Sequence, residues 1–350
     1  MSTQRTSRAV HVGSVVIGGG APITVQSMLN VPAHEISRSV AQAKTLESAG
    51  CEIIRAAVPD MEAVKLIAAL KENVHVPIVA DIHFDYRLAL ESIAAGVDKV
   101  RINPGNIGSR DRVQAVVDAC QKKSIPIRIG VNSGSLEKDL LAKYGGATPE
   151  AMAESVMRHV AILEELDFHD IVLSIKSSDV RKMIAAYRLV AGRCDYPLHL
   201  GVTEAGTYTM GLLKSAVGIG SLLADGIGDT IRVSLTDDPV KEVQAGRDIL
   251  RALDMAADTP RLVSCPTCGR TQIDLISLAN EVEQRLRDVH KPITVAVMGC
   301  IVYGPGEASA ADIGVAGGKG CGLLFKKGEI LYKVSEDRIV DALMDEIAKM

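Results

Sequence analysis

The residues of this sequence that are best suited to redox or metal chemistry lie in its last quarter, where four of its seven cysteines occur. Cys265 and Cys268 form a Cys-Pro-Thr-Cys motif, which suits a redox-active dithiol, a zinc site or an iron-sulfur cluster. A third thiol, Cys300, is followed by a Gly-Pro-Gly turn at 304–306 and by Glu307. Three thiolates and one carboxylate predict a [4Fe-4S] cluster in which one iron has a hard, exchangeable oxygen ligand.

Other interpretations of these cysteines stay open. Cys321 could complete a zinc ribbon, in which case Glu307 is an ordinary solvated side chain. The spacing favours the cluster, because neither Cys321 nor His290 is well placed as a fourth zinc ligand. The isolated cysteines, which we interpret as packing residues, are Cys51, Cys120 and Cys194.

A second group of polar side chains occurs where β-rich runs end in the first two thirds of the chain. The cations of this group are Arg55, Arg101, Arg128, Lys176 and Arg232. They lie in otherwise apolar runs, where an unpaired charge is costly, so they need an anion. The arginine fork matches phosphate oxygens, and lysine adds a point charge. We therefore predict a phosphate or diphosphate substrate; the alternative is that each arginine pairs with a nearby carboxylate.

Further polar residues share these strand ends. Glu204, a carboxylate among cations, should stay ionised and could position a substrate hydroxyl or shuttle a proton, or could instead pair with Arg232. His83 either donates a hydrogen bond to the substrate or caps the third strand. The remaining strand-end candidates for substrate contact are Asn103, Asn132 and Ser234.

The elements that carry these side chains alternate β-rich runs with amphipathic segments, as β-α units around a parallel sheet do. Eight units in roughly 230 residues predict a TIM (β/α)8 barrel, whose strands all end at one mouth. The alternative is a doubly wound sheet, but its glycine-rich turn would follow the first strand, whereas Gly18 to Gly20 precede it. The predicted strands are 23–28, 51–58, 77–82, 99–103, 126–132, 170–176, 197–204 and 229–235.

The length of 350 residues allows the barrel and one smaller domain, because single cores stop growing near ~250–300 residues. We place a substrate-binding barrel at 1–257 and a small α/β iron-sulfur domain at 258–350. The net charge of -4 argues against nucleic acid or anionic lipid as a partner. Without a long apolar run or a signal peptide, the sequence predicts a soluble, cytoplasmic protein.

Several strings of the sequence occur together, in this order, in one known enzyme family. They are V-A-D-I-H-F, R-I-N-P-G-N-I-G, R-I-G-V-N-S-G-S-L, S-I-K-S-S-D, L-G-V-T-E-A-G, G-I-G-D-T-I-R-V-S-L, C-P-T-C-G-R-T, and M-G-C ahead of G-P-G-E-A. In combination they resemble 4-hydroxy-3-methylbut-2-enyl diphosphate synthase, the penultimate enzyme of the methylerythritol phosphate route to isoprenoids, in its short two-domain bacterial form. The resemblance runs from about Val10 to the C-terminus.

The resemblance implies a reaction, a cofactor and partners. The family reduces 2-C-methyl-D-erythritol 2,4-cyclodiphosphate with two electrons, which a flavodoxin or ferredoxin supplies through a [4Fe-4S] cluster; the ring opens and a hydroxyl leaves as water. The family's cluster ligands fall on Cys265, Cys268, Cys300 and Glu307. Its substrate contacts fall on Arg55, Arg101, Asn103, Arg128, Asn132, Lys176, Glu204, Arg232 and Ser234.

Two residues depart from the family pattern. Tyr303 stands between Cys300 and the Gly-Pro-Gly turn, where the family usually has asparagine, and Leu29 stands where it usually has threonine. A tyrosine offers one hydroxyl where asparagine offers both an amide and a carbonyl. We therefore expect Tyr303 to alter the hydrogen bonds of the cluster loop.

Two other classes of protein remain as alternatives. One is a zinc-stabilised barrel that acts on a sugar phosphate without redox chemistry, and a colourless protein with stoichiometric zinc would favour it. The other is an iron-sulfur sensor without catalytic activity, which would turn over no diphosphate.

The family resemblance also implies a head-to-tail homodimer. Only about ten residues separate the last barrel helix from Cys265, and they span at most ~35 Å when extended. That helix must first run back toward the amino-terminal face of the barrel. We therefore expect a second copy of the chain to bring its cluster to the barrel mouth.

Overall fold

A computed structural model describes residues 4–256, 259–300 and 308–350 of the chain. The chain divides into two compact units, Met1–Met255 and Ala256–Met350. The first unit contains an eight-stranded parallel sheet, and the second contains a five-stranded mixed sheet. The predicted α/β class, a TIM barrel followed by a small α/β domain, is confirmed.

A short antiparallel hairpin that the sequence did not predict precedes the barrel strands. Its strands are β1 (Val10–Val12) and β2 (Val15–Ile17). Val12 and Ile17 of the hairpin pack against Ile53 and Val79, which lie near the amino ends of two barrel strands. The hairpin therefore closes the amino-terminal end of the barrel with an apolar floor.

The barrel strands are β3 (Thr24–Met28), β4 (Ile53–Ala57), β5 (Ile78–Asp81), β6 (Lys99–Ile102), β7 (Ile127–Asn132), β8 (Ile171–Lys176), β9 (His199–Leu200) and β10 (Thr230–Ile231). Their order in the sheet is β8-β7-β6-β5-β4-β3-β10-β9. A parallel bridge between Leu173 and Leu198 joins β8 to the segment before β9, so the sheet closes on itself.

The last two strands are shorter than the sequence predicted. Each pairs over two residues, whereas the predicted runs were 197–204 and 229–235. After Leu200 the chain turns through Glu204, whose φ of 52° is incompatible with an extended strand. The later residues of both predicted runs therefore form loops at the barrel mouth instead of strand.

Ten helices are described between the barrel strands and after the last of them. They are α1 (Ile36–Ser48), α2 (Val64–Asn73), α3 (Tyr86–Ala94), α4 (Pro104–Ile107), α5 (Arg110–Lys123), α6 (Lys138–Tyr144), α7 (Pro149–Glu164), α8 (Val180–Ala191), α9 (Tyr208–Ala224) and α10 (Pro239–Ala252). Side chains cap several amino ends: Asp85, Thr148, Asp179 and Asp238 each accept a hydrogen bond from a backbone N–H of the first turn. The described part of the chain contains no helix long and apolar enough to cross a membrane.

The second unit is built on the strands β11 (Arg261–Ser264), β12 (Thr294–Met298), β13 (Ile313–Gly318), β14 (Cys321–Lys326) and β15 (Glu329–Ser335). The first three run parallel and the last two are antiparallel additions. Two helices, α11 (Leu275–Leu286) and α12 (Ile339–Ala348), contribute to an apolar core that includes Val295, Val297 and Val315. Strand β11 was not predicted, because its side chains are exposed or half-buried and show no apolar alternation.

Tyr187 of α8 links β8 to β9, where the barrel closes. Its hydroxyl accepts a hydrogen bond from the backbone N–H of Ile175 at 2.9 Å and donates one to the carbonyl of His199, and the side chain is fully buried. Tyr187→Phe leaves both backbone groups without this partner, so we expect it to lower the free energy of unfolding by ~1–3 kcal/mol. Urea denaturation of the barrel, followed by circular dichroism, measures this change.

The matched control is Tyr208→Phe, because Tyr208 is exposed at the start of α9. This variant should change the free energy of unfolding by less than ~0.5 kcal/mol. Equal losses in the two variants would show that the Tyr187 hydroxyl has no special role in closing the barrel.

Candidate active site

The five predicted strand-end cations come together inside the barrel. Lys176 shows this most directly, because its pKa is held well below the usual value first by the charge of Arg55 and then by burial. The other guanidinium groups that lower the pKa of Lys176 are those of Arg128, Arg232 and Arg101. The cations therefore form one positively charged cluster, which we call the cationic ring: Arg55, Arg101, Arg128, Lys176 and Arg232.

Asp81, the last residue of β5, provides a negative charge in the ring. Its carboxylate lies 3.2 Å from Arg101 Nη1 and 3.7 Å from Arg55 Nε, and His83 Nε2 lies 3.6 Å away. Burial alone would raise the pKa of Asp81, but Arg55, the His83 hydrogen bond and Arg101 together hold it well below its usual value. Asp81 therefore stays ionised and fixes the positions of two arginines.

A second carboxylate reaches the ring from outside the sheet. Glu242 of α10 is buried and lies 3.4 Å from Arg232 Nη2, while it also accepts hydrogen bonds from Ser27 Oγ and the Leu235 N–H, both at 3.0 Å. Arg55, Arg101 and Arg232 therefore have carboxylate neighbours, as the alternative interpretation of these cations expected. Glu242 was missed because its position on an amphipathic helix gives no sign that it faces inward.

The ring still carries more positive than negative charge. Burial is the main cause that lowers the pKa of Arg55 to about 10. The carboxylates of Asp81 and Glu242 act in the opposite direction and raise this pKa. Buried nitrogen atoms of Arg55, Arg128 and Arg232 have no hydrogen-bond partner in the described part of the chain. Unpaired buried donors are costly, so this arrangement is suited to bind an anion with several oxygen acceptors.

The neutral candidates lie at the same strand ends. Asn103 follows β6 and Asn132 ends β7; the side-chain oxygen of each is buried and without a hydrogen-bond partner among the described residues. Ser234 follows β10 and is half-buried. Glu204 is exposed, and its φ of 52° is unusual for a glutamate, a kind of strain that clusters at functional sites.

A glycine makes room for one arginine of the ring. A Cβ added to Gly130 of β7 would lie 2.5 Å from Arg101 Nε, and Arg101 Nη2 donates a hydrogen bond to the Gly130 carbonyl at 3.0 Å. Any larger residue at this position must displace the Arg101 guanidinium. Sequence reasoning passed over Gly130 because a glycine within a strand usually indicates a bulge or a close backbone approach.

In the second unit, parallel pairing of β11 with β12 brings two of the predicted cluster ligands together. Ser264 pairs with Val297, so Cys265 lies beside the residues that follow β12. The Gly299 N–H lies 3.2 Å from Cys265 Sγ and donates a hydrogen bond to it, and Cys300 is the next residue. Glu307 and Tyr303 lie outside the described residues.

Cys268 is already biased toward the thiolate that a metal needs. It is exposed, and hydrogen bonds from the backbone and side chain of Arg270 lower the pKa of its thiol. In the described ranges, no three His, Cys, Asp or Glu side chains surround a single position for a metal ion. Thiolates of a [4Fe-4S] cluster bind different irons, so thiols on neighbouring loops fit a cluster better than one ion.

The cysteines that we interpreted as packing residues are placed accordingly. Cys51 and Cys120 are buried, and burial raises the pKa of each thiol to about 12, which makes them unreactive. Cys194 is half-buried, and burial raises its pKa as well.

Leu29, one of the two departures from the family pattern, is buried. Its N–H donates a hydrogen bond to the Arg55 carbonyl at 3.0 Å, so Leu29 adjoins the cationic ring.

Fold and site together define a barrel enzyme for an anionic substrate with a cysteine-rich second domain. The description "GcpE TIM-barrel domain" matches residues 7–247, and "GcpE protein C-terminal domain" matches residues 261–349. The chain therefore belongs to the GcpE family.

Curated relatives agree with this assignment over nearly the whole chain. A protein of Clostridium acetobutylicum named 4-hydroxy-3-methylbut-2-en-1-yl diphosphate synthase (flavodoxin) is 59% identical, covering 98% of this chain and 99% of its own. The protein of the same name from Clostridium perfringens is 58% identical, covering 97% and 98%. A solved dihydropteroate synthase from Stenotrophomonas maltophilia superposes with a TM-score of 0.52 at 14% identity, covering 71% of this chain and 98% of that one, and shares the fold alone.

Gly130→Ala tests whether the Arg101 position matters for anion binding. The added methyl must displace the guanidinium, so we expect the affinity for inorganic pyrophosphate to fall at least ~10-fold, the value of one charge-assisted hydrogen bond. Isothermal titration calorimetry measures it. Gly134→Ala, a change with open space around the new methyl, is the matched control. Equal affinities in the two variants would remove Arg101 from the site.

Proposed function

We propose that this chain is a 4-hydroxy-3-methylbut-2-en-1-yl diphosphate synthase. It converts 2-C-methyl-D-erythritol 2,4-cyclodiphosphate to 4-hydroxy-3-methylbut-2-enyl diphosphate in isoprenoid biosynthesis. The reaction consumes two electrons and two protons, opens the ring and releases one water. The structural observation that carries the proposal is the buried cationic ring with unpaired donors, which suits a diphosphate. The names of the relatives support this redox function and not the zinc-stabilised alternative.

Residues 1–257 form the substrate-binding barrel in this proposal. The ring arginines and Lys176 hold the diphosphate, and His83, Asn103, Asn132 and Ser234 donate or accept hydrogen bonds around it. Glu204 stands at the mouth, where it positions a substrate hydroxyl or supplies a proton to the leaving oxygen. Arg55, Arg101 and Arg128 are buried, and the exclusion of water around them strengthens their electrostatic contacts.

Residues 258–350 form the reductase domain. Cys265, Cys268, Cys300 and Glu307 would hold a [4Fe-4S] cluster, which would relay the donor's two electrons to the substrate. Hydrogen bonds from Arg270 lower the pKa of Cys268 and so favour the thiolate form that binds iron. Flavodoxin is the proposed electron donor, as in the names of the relatives, with ferredoxin as the alternative. The enzyme works in the cytoplasm, where thiols stay reduced.

The proposal is tested by separating cluster binding from substrate binding. We expect Cys265→Ser, Cys268→Ser and Cys300→Ser to lose cluster iron and turnover while they still bind the cyclic diphosphate. Arg128→Met and Lys176→Met should keep the iron but bind the diphosphate at least ~10-fold more weakly. Iron analysis of anaerobic protein and calorimetry measure the two properties.

Cys321→Ser is the matched cysteine control, because Cys321 begins β14 and is not a proposed ligand. It should keep both the cluster and turnover. A full cluster in any of the other cysteine variants removes that residue from the ligand set. Normal diphosphate binding by both Arg128→Met and Lys176→Met places the substrate elsewhere.

The working unit in this proposal is a head-to-tail homodimer, in which the cluster domain of one chain closes the barrel mouth of the other. The short tether before Cys265 supports it, as does an apolar side chain at the mouth. Phe84 follows His83 in the loop after β5 and is 72% exposed. A large exposed apolar side chain beside a charged site is typical of a surface that another protein covers.

Complementation tests the head-to-tail arrangement. Glu204→Gln and Cys300→Ser should each be inactive alone, and exchange of their subunits creates one site with an intact barrel and an intact cluster. We expect activity to reappear in the mixture, up to about a quarter of the wild-type rate when exchange is random, because half of the dimers are mixed and each has one complete site. Mixed dimers that are verified by mass spectrometry and stay inactive, while wild-type dimers survive the same exchange, would place catalysis within one chain.

A further inference from the structure

A deeper polar layer lies inside the barrel, below the cationic ring. Lys99 and His199 are the first residues of β6 and β9, whereas Lys176 is the last residue of β8. Because parallel barrel strands all run toward the mouth, Lys99 and His199 lie nearer the apolar floor than Lys176 does. Arg128, the second residue of β7, and Gln26, the third of β3, complete the layer.

Side-chain direction and burial place these groups in the barrel interior. Lys99 is two residues before Arg101 on the same strand, so both side chains point to the same face of the sheet. Lys99 and Arg128 are 0% exposed, and Gln26 and His199 are 1% exposed. Arg128 lowers the pKa of both Lys99 and His199, after burial, so the three side chains lie close together.

The layer contains several buried donors without partners among the described residues, and the unpaired His199 Nδ1 either donates or accepts according to its tautomer. Lys99 Nζ, Arg128 Nε, Arg128 Nη2 and Gln26 Nε2 are buried and have no hydrogen-bond partner within residues 4–256, 259–300 and 308–350. The hydrogen bond that joins the layer internally runs from Arg128 Nη1 to Gln26 Oε1, and it is long at 3.5 Å. Leaving such donors unpaired is costly, so the layer is expected to hold an acceptor.

The charge of the layer decides what kind of acceptor fits. The pKa of Lys99 is shifted by burial and by the charges of Arg128 and Arg55. The pKa of His199 is shifted by burial and by the charges of Arg128, Lys99, Lys176 and Arg55. All of these lower the pKa, and no carboxylate is among them. Asp81 acts on Arg128 but is surrounded by Arg55 and Arg101. A negative charge close to Lys99 would relieve this repulsion.

We propose that this layer is a second anion site, which shares Arg128 with the diphosphate ring and binds one small monovalent anion such as chloride between Lys99, Arg128 and Gln26. A halide accepts hydrogen bonds from all directions, whereas a water molecule must also direct its own two hydrogens at acceptors. Because the layer offers mainly donors, the halide fits better than water. The apolar floor of Val12, Ile17, Ile53 and Val79 closes the site from below.

The site has a consequence for the ring above it. Arg128 belongs to both layers: Nε and Nη2 are unpaired, and its charge acts on Lys99 below and on Lys176 at the end of β8. An anion beside Lys99 offsets the charge under Arg128 and holds the guanidinium in place before the diphosphate arrives. The proposal concerns the barrel alone and does not depend on cluster chemistry or turnover.

Bromide, which replaces chloride and scatters anomalously, tests the site directly. Crystals of the full-length wild-type protein are soaked in sodium bromide with inorganic pyrophosphate, so that pyrophosphate occupies the ring. We expect an anomalous bromide peak in contact with Lys99 Nζ and the Arg128 guanidinium. Lys99→Met should lose the peak, whereas Lys176→Met, which removes a cation from the upper ring, should keep it.

A solution measurement supplies the second readout. Sodium gluconate is replaced by sodium bromide at constant ionic strength and saturating pyrophosphate. At a bromide concentration of ten times its Kd, the Tm of the wild-type protein should rise by about 3 °C. The Tm of Lys99→Met should not change. Water density beside Lys99 without an anomalous signal, or bromide only beside ring residues and away from Lys99 Nζ, overturns the proposal. The wild-type map decides this even if Lys99→Met fails to fold.

Discussion

The electrostatics of the site are governed by repulsion between cations that lie inside the barrel. Arg55, Arg101, Arg128, Lys176 and Arg232 lie close enough that the arginines keep the pKa of Lys176 well below its usual value. Two carboxylates, Asp81 and Glu242, offset part of this charge. The remaining positive charge is costly to bury and, in the proposed function, would supply the binding energy for a diphosphate. The same buried positive charge therefore lowers the stability of the fold and favours the binding of the proposed diphosphate.

The scaffold around the ring keeps these charges in position. Asp81 holds Arg55 and Arg101, and Glu242 holds Arg232 while hydrogen bonds from Ser27 and Leu235 fix the carboxylate itself. An arginine held by a carboxylate cannot turn away when no substrate is bound. These arginines are therefore already in position for the proposed anion, which would lower the ordering cost of binding. This organisation comes from a strand end and from a helix, two places that are distant in sequence.

Much of the fold and part of the site could be predicted from the sequence. The alternation of β-rich runs and amphipathic segments predicted the barrel, and the strand ends predicted the five cations, because both follow from local periodicity. The hairpin Val10–Ile17 was missed because its two strands have only three residues each, and strand β11 was missed because its side chains are exposed or half-buried. Glu242 was missed because a salt bridge between a helix and a strand end leaves no pattern in the sequence.

The sequence by itself determined the chemical inventory: thiols at Cys265, Cys268 and Cys300, cations at barrel strand ends, and the family that these strings resemble. Only the tertiary structure decided which charges meet. Whether Arg232 pairs with Glu204 or Glu242 depends on how α10 packs against the barrel, and the room for Arg101 depends on the missing side chain of Gly130 on the next strand. Electrostatic energies depend on distance and burial, and both are set by packing between segments far apart in the chain.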